Sequence, residues 1–170
     1  GETFVHYFLL ATLGFWSYYG FLLVTNNTDR AKFVSFNNNY LGIFLIQAFL
    51  FGLLVILLFL DLNISNYLVL FLLLFITALI DVAAYLVGSS IGRTPLFKDL
   101  SPNKTLEGFI GSVLLTVLFI FLIHWTDLVP WILLLILMLV IPFAFIGDYF
   151  ESQLKRKQQI KDSGSIIPGH

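Results

Sequence analysis

Five long apolar segments, almost free of charge, determine what this chain can fold into. They cover residues 4–24, 40–60, 67–88, 107–124 and 129–147. Each is close to the roughly 20 residues that an α-helix needs to cross a bilayer. The runs are too long and too continuous for the alternating pattern of a membrane β-barrel. The sequence therefore predicts an all-α fold, a multi-pass transmembrane helical bundle with about five spanning helices.

The composition agrees with a membrane protein and excludes several classes of function. The 170 residues are 59% hydrophobic and 11% charged, whereas soluble domains average about 25% charged residues. The chain contains no cysteine, which excludes disulfides, thiolate metal sites and thiol catalysis. The net charge of -1 gives no indication of nucleic-acid binding. The first apolar segment lacks the features of a signal peptide and is predicted to span the membrane.

The positions of lysine and arginine predict the orientation in the membrane. All of them fall in the first loop, the third loop or the tail: Arg30, Lys32, Arg93, Lys98, Lys104, Lys155, Arg156, Lys157 and Lys161. Cytoplasmic loops carry an excess of these residues. We therefore expect both loops and the tail in the cytoplasm, and the N-terminus outside.

Asp81 interrupts the third apolar segment. A carboxylate near the centre of a spanning helix costs roughly 2.5–3.5 kcal/mol on insertion scales, so such residues usually face a cavity or a partner. Two interpretations remain open: a site carboxylate reached from the cytoplasm, or a carboxylate paired structurally with another helix.

Asp148 directly follows the last apolar segment. On a helix, Glu151, Ser152 and Lys155 would share one face with it. Carboxylates at the membrane boundary suit a hard cation such as Mg²⁺. The alternative is an ordinary polar helix end at the lipid headgroups.

The third loop contains a helix-start pattern. Ser101 and Pro102 are predicted to be the N-cap and the first residue of a helix. Lys104 and Thr105 would then lie near a helix N-terminus, where exposed N–H groups favour a phosphate. A plain re-entry loop with basic residues is the alternative.

Two pairs of small residues have the spacing of close helix–helix contacts. Gly88 and Gly92 form one pair, and Gly108 and Ser112 form the other. Small residues at this spacing let two helix backbones approach closely.

The tail from residue 152 carries an extended motif. It reads Ser152-x-x-Lys155-Arg156, then Lys161-Asp162-Ser163-Gly164, then Ile167-Pro168-Gly169-His170. This run resembles the signature of the CDP-diacylglycerol synthase (phosphatidate cytidylyltransferase) family, without the Gly-Gly-x-x-Asp-Arg-x-Asp that ends the family's pattern. Two upstream blocks also agree with the family: Asp81-x-x-Ala84-Tyr85 with Gly88 and Gly92, and residues 101–105 with Glu107-Gly108.

The resemblance implies a transferase that moves CMP from CTP to phosphatidate, with Mg²⁺ as cofactor. The implied partners are CTP, phosphatidate and the lipid bilayer, without nucleic acid, and a homodimer is an open alternative. The implied catalytic residues are Asp81, Asp148, Lys155 and Arg156, of which Asp148 and Asp81 would bind the metal. The implied substrate-binding residues are Ser101, Lys104, Thr105, Ser152, Lys161, Asp162 and His170.

One membrane domain is expected over residues 1–170. Within it, residues 1–66 have no assignable function and residues 67–170 form the catalytic-type region. The abrupt ends and the incomplete motif suggest a fragment, which alone is expected to be inactive. The resemblance implies a bacterial plasma membrane, with the active site facing the cytoplasm.

Three alternatives remain open. The first is a CTP-dependent transferase for another lipid, such as an archaeal ether lipid or a polyprenol. The second is a transporter or channel subunit that uses Asp81 as its ion site, which explains Asp81 but not the tail. The third is a fragment without catalytic turnover.

The topology can be tested with a reporter fused after Asn66. We expect this reporter to lie outside the cytoplasm, because the second loop carries neither lysine nor arginine and should lie opposite the basic loops. A fusion after Lys98 provides the cytoplasmic control. A cytoplasmic signal from the Asn66 fusion would contradict the predicted orientation.

Overall fold

Five long helices and one short β-ribbon make up the described chain. The structure, a computed structural model, describes residues 2–35, 37–58, 64–98 and 100–159. The elements are α1 (Glu2–Val24), a 3₁₀ turn (Thr28–Arg30), α2 (Asn39–Leu58), α3 (Asn66–Ile91), β1 (Pro95–Phe97), β2 (Ser101–Thr105), α4 (Leu106–His124) and α5 (Trp131–Lys157).

All five helices are long and apolar enough to cross a membrane. The prediction of an all-α, multi-pass membrane protein is confirmed. A two-stranded ribbon and a short 3₁₀ turn are added to the five predicted helices. The predicted helix ends agree with the structure to within a few residues, except at the end of the fifth segment. There the helix continues to Lys157, so the residues expected to form a polar tail begin as three further helical turns.

The described residues divide into two compact units, Gly1–Gly52 with Ile146–His170, and Leu53–Phe145. In the unit Leu53–Phe145, one face of α3 is buried at Val69, Leu72, Ile76 and Ile80. This spacing of three to four residues is that of one side of a helix. The core is completed by side chains from α4 and α5: Ile120, Leu133, Leu137 and Ile141.

Glycines bring α3 and α4 close together at the end of α3. A Cβ atom at Gly108 would lie 2.7 Å from the carbonyl oxygen of Ala84 and 3.1 Å from the Cα of Gly88. A Cβ atom at Gly111 would lie 2.6 Å from the side chain of Val87. The prediction that the small residues mark a close helix contact is therefore confirmed, because a Cβ atom at Gly108 would meet the backbone of α3.

In the unit Gly1–Gly52 with Ile146–His170, the core forms around the aromatic ring of Phe150. Its centroid lies 5.1 Å from that of Tyr19 and 5.3 Å from that of Trp16, both on α1. Aromatic pairs at such edge-to-face distances contribute beyond the area that they bury. The buried neighbours in this cluster include Leu22, Ala31, Val34 and Leu41.

We expect Gly108→Ala to destabilise the protein by about 1–3 kcal/mol, because the new methyl group would press on the backbone of α3. The measurement is the thermal unfolding midpoint in detergent. Gly14→Ala on α1 is the matched control, since a Cβ atom there meets nothing within 4 Å. A Gly108 variant as stable as the Gly14 control would contradict the close crossing.

Candidate active site

The third loop folds as an antiparallel β-ribbon that leads directly into α4. β1 pairs with β2 so that Pro95 lies opposite Thr105 and Phe97 opposite Ser101. The prediction that Ser101 and Pro102 begin a helix is therefore wrong: both lie in β2. Pro102 has no N–H to donate, and a two-stranded ribbon tolerates this because both of its strands are edges.

Thr105 is the residue that begins α4. It is the N-cap, and its side chain accepts a hydrogen bond from the N–H of Gly108 at 3.2 Å. This bond satisfies one of the N–H groups that have no partner within the helix. The side chain also faces Gly88 on α3 and Gly92 directly after it. A Cβ atom there would lie 3.1 Å and 2.5 Å, respectively, from the Oγ1 of Thr105. These two glycines thus make room for the capping side chain.

Glu107 joins the start of the ribbon to the first turn of α4. Its carboxylate accepts hydrogen bonds from the N–H of Arg93 at 3.0 Å and from the N–H of Thr94 at 3.1 Å. The hydroxyl of Thr94 donates to the same carboxylate at 2.9 Å. The N–H of Leu106 donates to the carbonyl oxygen of Thr94 at 2.8 Å. These contacts fix the position of residues 93 and 94, which connect the end of α3 to β1.

The ribbon carries three residues of the predicted substrate site. Ser101, Lys104 and Thr105 are half-buried and lie within one five-residue strand. Thr105 accepts one hydrogen bond, and a hydroxyl that accepts can still donate its proton. The structure thus brings two hydroxyls and one cation together next to the N-terminus of a helix.

Asp81 lies on the face of α3 opposite its buried face. It is exposed, as is Tyr85 one turn later, while Ile80 and Ala83 are buried. The sequence interpretation of Asp81 as a carboxylate that avoids lipid requires this face of α3 to meet water or protein. Its roles in catalysis and metal binding stay predictions.

α5 presents the second group of predicted site residues. Asp148, Ser152 and Lys155 are spaced by four and three residues, so they share one side of the helix as expected. Arg156 follows on the edge of this side and is exposed. We call the side that carries these four residues the polar face of α5.

Two contacts along α5 involve residues of the polar face. The hydroxyl of Ser152 donates to the carbonyl oxygen of Asp148 at 2.9 Å. The ammonium of Lys155 pairs with the carboxylate of Glu151 at 2.9 Å, and the side chain of Glu151 is 56% exposed. Because exposed ion pairs contribute about 0–1 kcal/mol, this pair adds little to the stability of the helix. The role of Lys155 in substrate binding stays a prediction.

The metal ligands predicted from the sequence, Asp148 and Asp81, stay predictions. No three His, Cys, Asp or Glu side chains within residues 2–35, 37–58, 64–98 and 100–159 are grouped so that they could hold a metal ion. Mg²⁺ is usually bound by one or two carboxylates together with substrate phosphates and water. The half-buried carboxylate of Asp148 fits this donor chemistry. Three predicted substrate-binding residues, Lys161, Asp162 and His170, lie outside the described residues.

Three residues without a predicted role in the site form hydrogen bonds to distant parts of the backbone: Glu107, Gln153 and Lys157. An acidic residue in the first turn of a helix is a recognised signal and could have singled out Glu107. No signal pointed to the partners of Gln153 and Lys157, which are more than 120 residues earlier in the chain.

The helices and the polar groups at their ends define a multi-pass α-helical membrane protein with basic and hydroxyl side chains suited to phosphate. A model of the cytidylyltransferase family matches residues 3–170. The chain therefore belongs to the cytidylyltransferase family.

Bacterial proteins are among its similar relatives. The chain is 43% identical over 93 residues to the phosphatidate cytidylyltransferase of Bacillus subtilis (strain 168). This alignment covers 53% of this chain and 35% of the relative. It is 41% identical over 96 residues to the phosphatidate cytidylyltransferase of Staphylococcus haemolyticus (strain JCSC1435), covering 54% and 36% respectively. These alignments span little more than a third of the length of the curated relatives. No solved structure matches the chain significantly.

We expect Glu107→Ala to loosen the ribbon, because the N–H groups of Arg93 and Thr94 lose their acceptor. The measurement is amide hydrogen exchange, which should become faster at these two residues. Glu151→Ala is the control, since it removes a carboxylate from α5 and leaves the ribbon intact. Unchanged exchange at residues 93 and 94 would contradict the role assigned to Glu107.

Proposed function

We propose that the protein to which this chain belongs transfers CMP from CTP to phosphatidate, forming CDP-diacylglycerol and pyrophosphate. The observation that carries the proposal is the polar face of α5, where a carboxylate, a hydroxyl and two cations follow directly on a membrane-spanning segment. Membership of the cytidylyltransferase family and the names of the similar relatives support the same chemistry.

The reaction exchanges one phosphoric anhydride bond for another. A phosphate oxygen of phosphatidate attacks the α-phosphorus of CTP, and a new P–O bond forms. The bond between the α-phosphorus and the oxygen that bridges to the β-phosphate breaks, and pyrophosphate leaves with that electron pair. Such a transfer depends on positioning and on neutralising phosphate charge, and requires little covalent chemistry from the protein.

The side chains divide into cations and hydroxyls that bind phosphate. Charge-assisted hydrogen bonds from lysine and arginine to phosphate are stronger than neutral ones. The proposed cations are Lys104, Lys155, Arg156 and Lys161. The proposed hydroxyl donors are Ser101, Thr105 and Ser152, and Asp162 and His170 are proposed to shape the nucleotide-binding loop.

The proposed cofactor is Mg²⁺, with Asp148 as the first ligand and Asp81 as the second candidate. When bound, Mg²⁺ would neutralise phosphate oxygens and increase the electrophilicity of the α-phosphorus. The carboxylate of Asp148 would hold the ion, and the neighbouring cations of α5 would orient the phosphates beside it.

The proposed location is a bacterial plasma membrane, with CTP entering from the cytoplasm. Five helices able to span a bilayer and the bacterial origin of the similar relatives support this. The acyl chains of phosphatidate can stay in the bilayer while its headgroup reaches side chains at the ends of the helices.

We expect Asp148→Asn to lower the rate of CDP-diacylglycerol formation by about 100-fold or more, because the amide is a weaker ligand for a cation and leaves phosphate charge uncompensated. The measurement uses the full-length protein in detergent with labelled CTP, phosphatidate and Mg²⁺. Asp127→Asn, in the turn between α4 and α5, is the matched control and should keep wild-type activity. Near-normal turnover by Asp148→Asn would remove Asp148 from the site. No product from the wild type would reject the proposed reaction.

A further inference from the structure

The loop between α1 and α2 is fastened to the end of α5 by three hydrogen bonds. The side-chain amide of Gln153 donates to the carbonyl oxygen of Thr28 at 2.8 Å. The ammonium of Lys157 donates to the carbonyl oxygens of Ala31 at 2.9 Å and Val34 at 2.8 Å. We call these three bonds the loop clasp.

We propose that Gln153 and Lys157 are positioning residues for the transferase reaction. The loop clasp fixes the orientation of α5 about its own axis and the position of its last turn. It thereby places the polar face, which carries Asp148, Ser152, Lys155 and Arg156. This inference rests on the proposed function. It also gives residues 25–38, in the part of the chain without an assignable role from sequence, a task in that reaction.

The clasp and the polar face lie on neighbouring sides of the same helix, because successive residues are about 100° apart around its axis. Tyr149, Gln153 and Lys157 follow one another at intervals of four residues and so form one stripe. Tyr149 and Gln153 are 1% and 3% exposed, so the first two members of the stripe are packed. Lys157, at the end of the helix, is exposed. Asp148 and Ser152, one residue before the first two members of the stripe, lie on the more open side. Fixing this stripe therefore fixes where the polar face points.

The loop presents its carbonyl oxygens to the helix in a defined arrangement. A 3₁₀ turn spans Thr28–Arg30, and the N–H of Val34 donates to the carbonyl oxygen of Ala31 at 3.1 Å. Ala31 and Val34 are completely buried against their neighbours. A loop anchored by buried side chains holds its carbonyl groups in place, so they can serve as a fixed socket for the ammonium group.

A lysine side chain binds this pair of carbonyl oxygens better than a neutral side chain can. Its ammonium group has three donors and no acceptor, so it can bond two carbonyl oxygens at once. The bonds are charge-assisted and therefore stronger than those between neutral groups. Lys157 is also the last residue of α5, where a cation is favoured by the carbonyl groups of the final turn.

The clasp acts near the end of α5, beyond the aromatic contacts of Phe150. Phe150 already packs on the rings of α1, but Lys155 and Arg156 lie one to two turns further along. The last turn of a helix frays when nothing holds it. The bonds from Gln153 and Lys157 bracket Lys155 and Arg156 and keep them helical.

The first test is amide hydrogen exchange of the loop, which does not depend on activity. We expect Lys157→Met to raise exchange at residues 28–35 by roughly 10-fold, because two charge-assisted bonds are lost while the side-chain length is kept. Gln153→Met removes one bond and should give a smaller rise in the same segment. Lys32→Met, an exposed cation in the same loop, is the matched control and should leave exchange unchanged. Wild-type exchange in both clasp variants would overturn the inference.

The second test is steady-state kinetics of the full-length protein, normalised to folded protein. We expect Lys157→Met to raise the KM for CTP or phosphatidate by roughly 10-fold, because misplaced phosphate-binding groups bind less well. Lys157→Arg should restore the KM, since a guanidinium can also donate to two carbonyl oxygens, and Lys32→Met should match the wild type. If Lys157→Met lowers only the unfolding temperature and leaves KM and kcat unchanged, the clasp is structural and the positioning role is rejected.

The two proposals fail in different ways. A wild-type protein that forms no CDP-diacylglycerol rejects the proposed reaction, whatever the exchange data show. A wild-type protein that is active, together with Lys157→Met and Gln153→Met variants that are kinetically normal, rejects only the positioning role.

Discussion

Hydrocarbon neither donates nor accepts hydrogen bonds, and the rest of the structure depends on this constraint. Inside a bilayer the backbone must bond to itself, which favours continuous helices over every other arrangement of a single chain segment. The polar chemistry of the protein is therefore displaced to the places where helices end. The ribbon at residues 95–105 and the last turns of α5 are two such places, and each carries residues of the predicted site.

α5 combines an apolar membrane-spanning part with a polar part at its C-terminal end. From Trp131 onwards it is almost entirely apolar, as a helix in lipid must be. From Asp148 it becomes two-sided, with Tyr149, Phe150 and Gln153 packed and with the carboxylate, hydroxyl and cations on the other side. Because the helix is continuous across this change, Asp148, Ser152, Lys155 and Arg156 are all carried on one helical element.

The sequence was sufficient for features that depend on local periodicity. Long apolar runs predicted the five helices, and the spacing of Asp148, Ser152 and Lys155 predicted their common face. The sequence was insufficient at residues 101–105, where a helix-start pattern competed with strand pairing and with a second capping residue. Ser101-Pro102 is a good helix start in isolation, but pairing with residues 95–97 and the cap formed by Thr105 moved the start of α4 to Leu106. The contacts of Gln153 and Lys157 could not be predicted, because hydropathy carries no information about which distant carbonyl oxygens a polar side chain will meet.

The sequence separation of the bonded residues determines when each contact can form during biosynthesis. Glu107 bonds to a backbone 14 residues earlier, so the ribbon can close soon after the first turn of α4 has been translated. Lys157 bonds to a backbone 126 residues earlier. The loop near Ala31 must therefore wait, at the membrane surface, until nearly the whole described chain has left the ribosome. During that interval the carbonyl oxygens of Ala31 and Val34 lack the ammonium group that bonds to them in the folded protein.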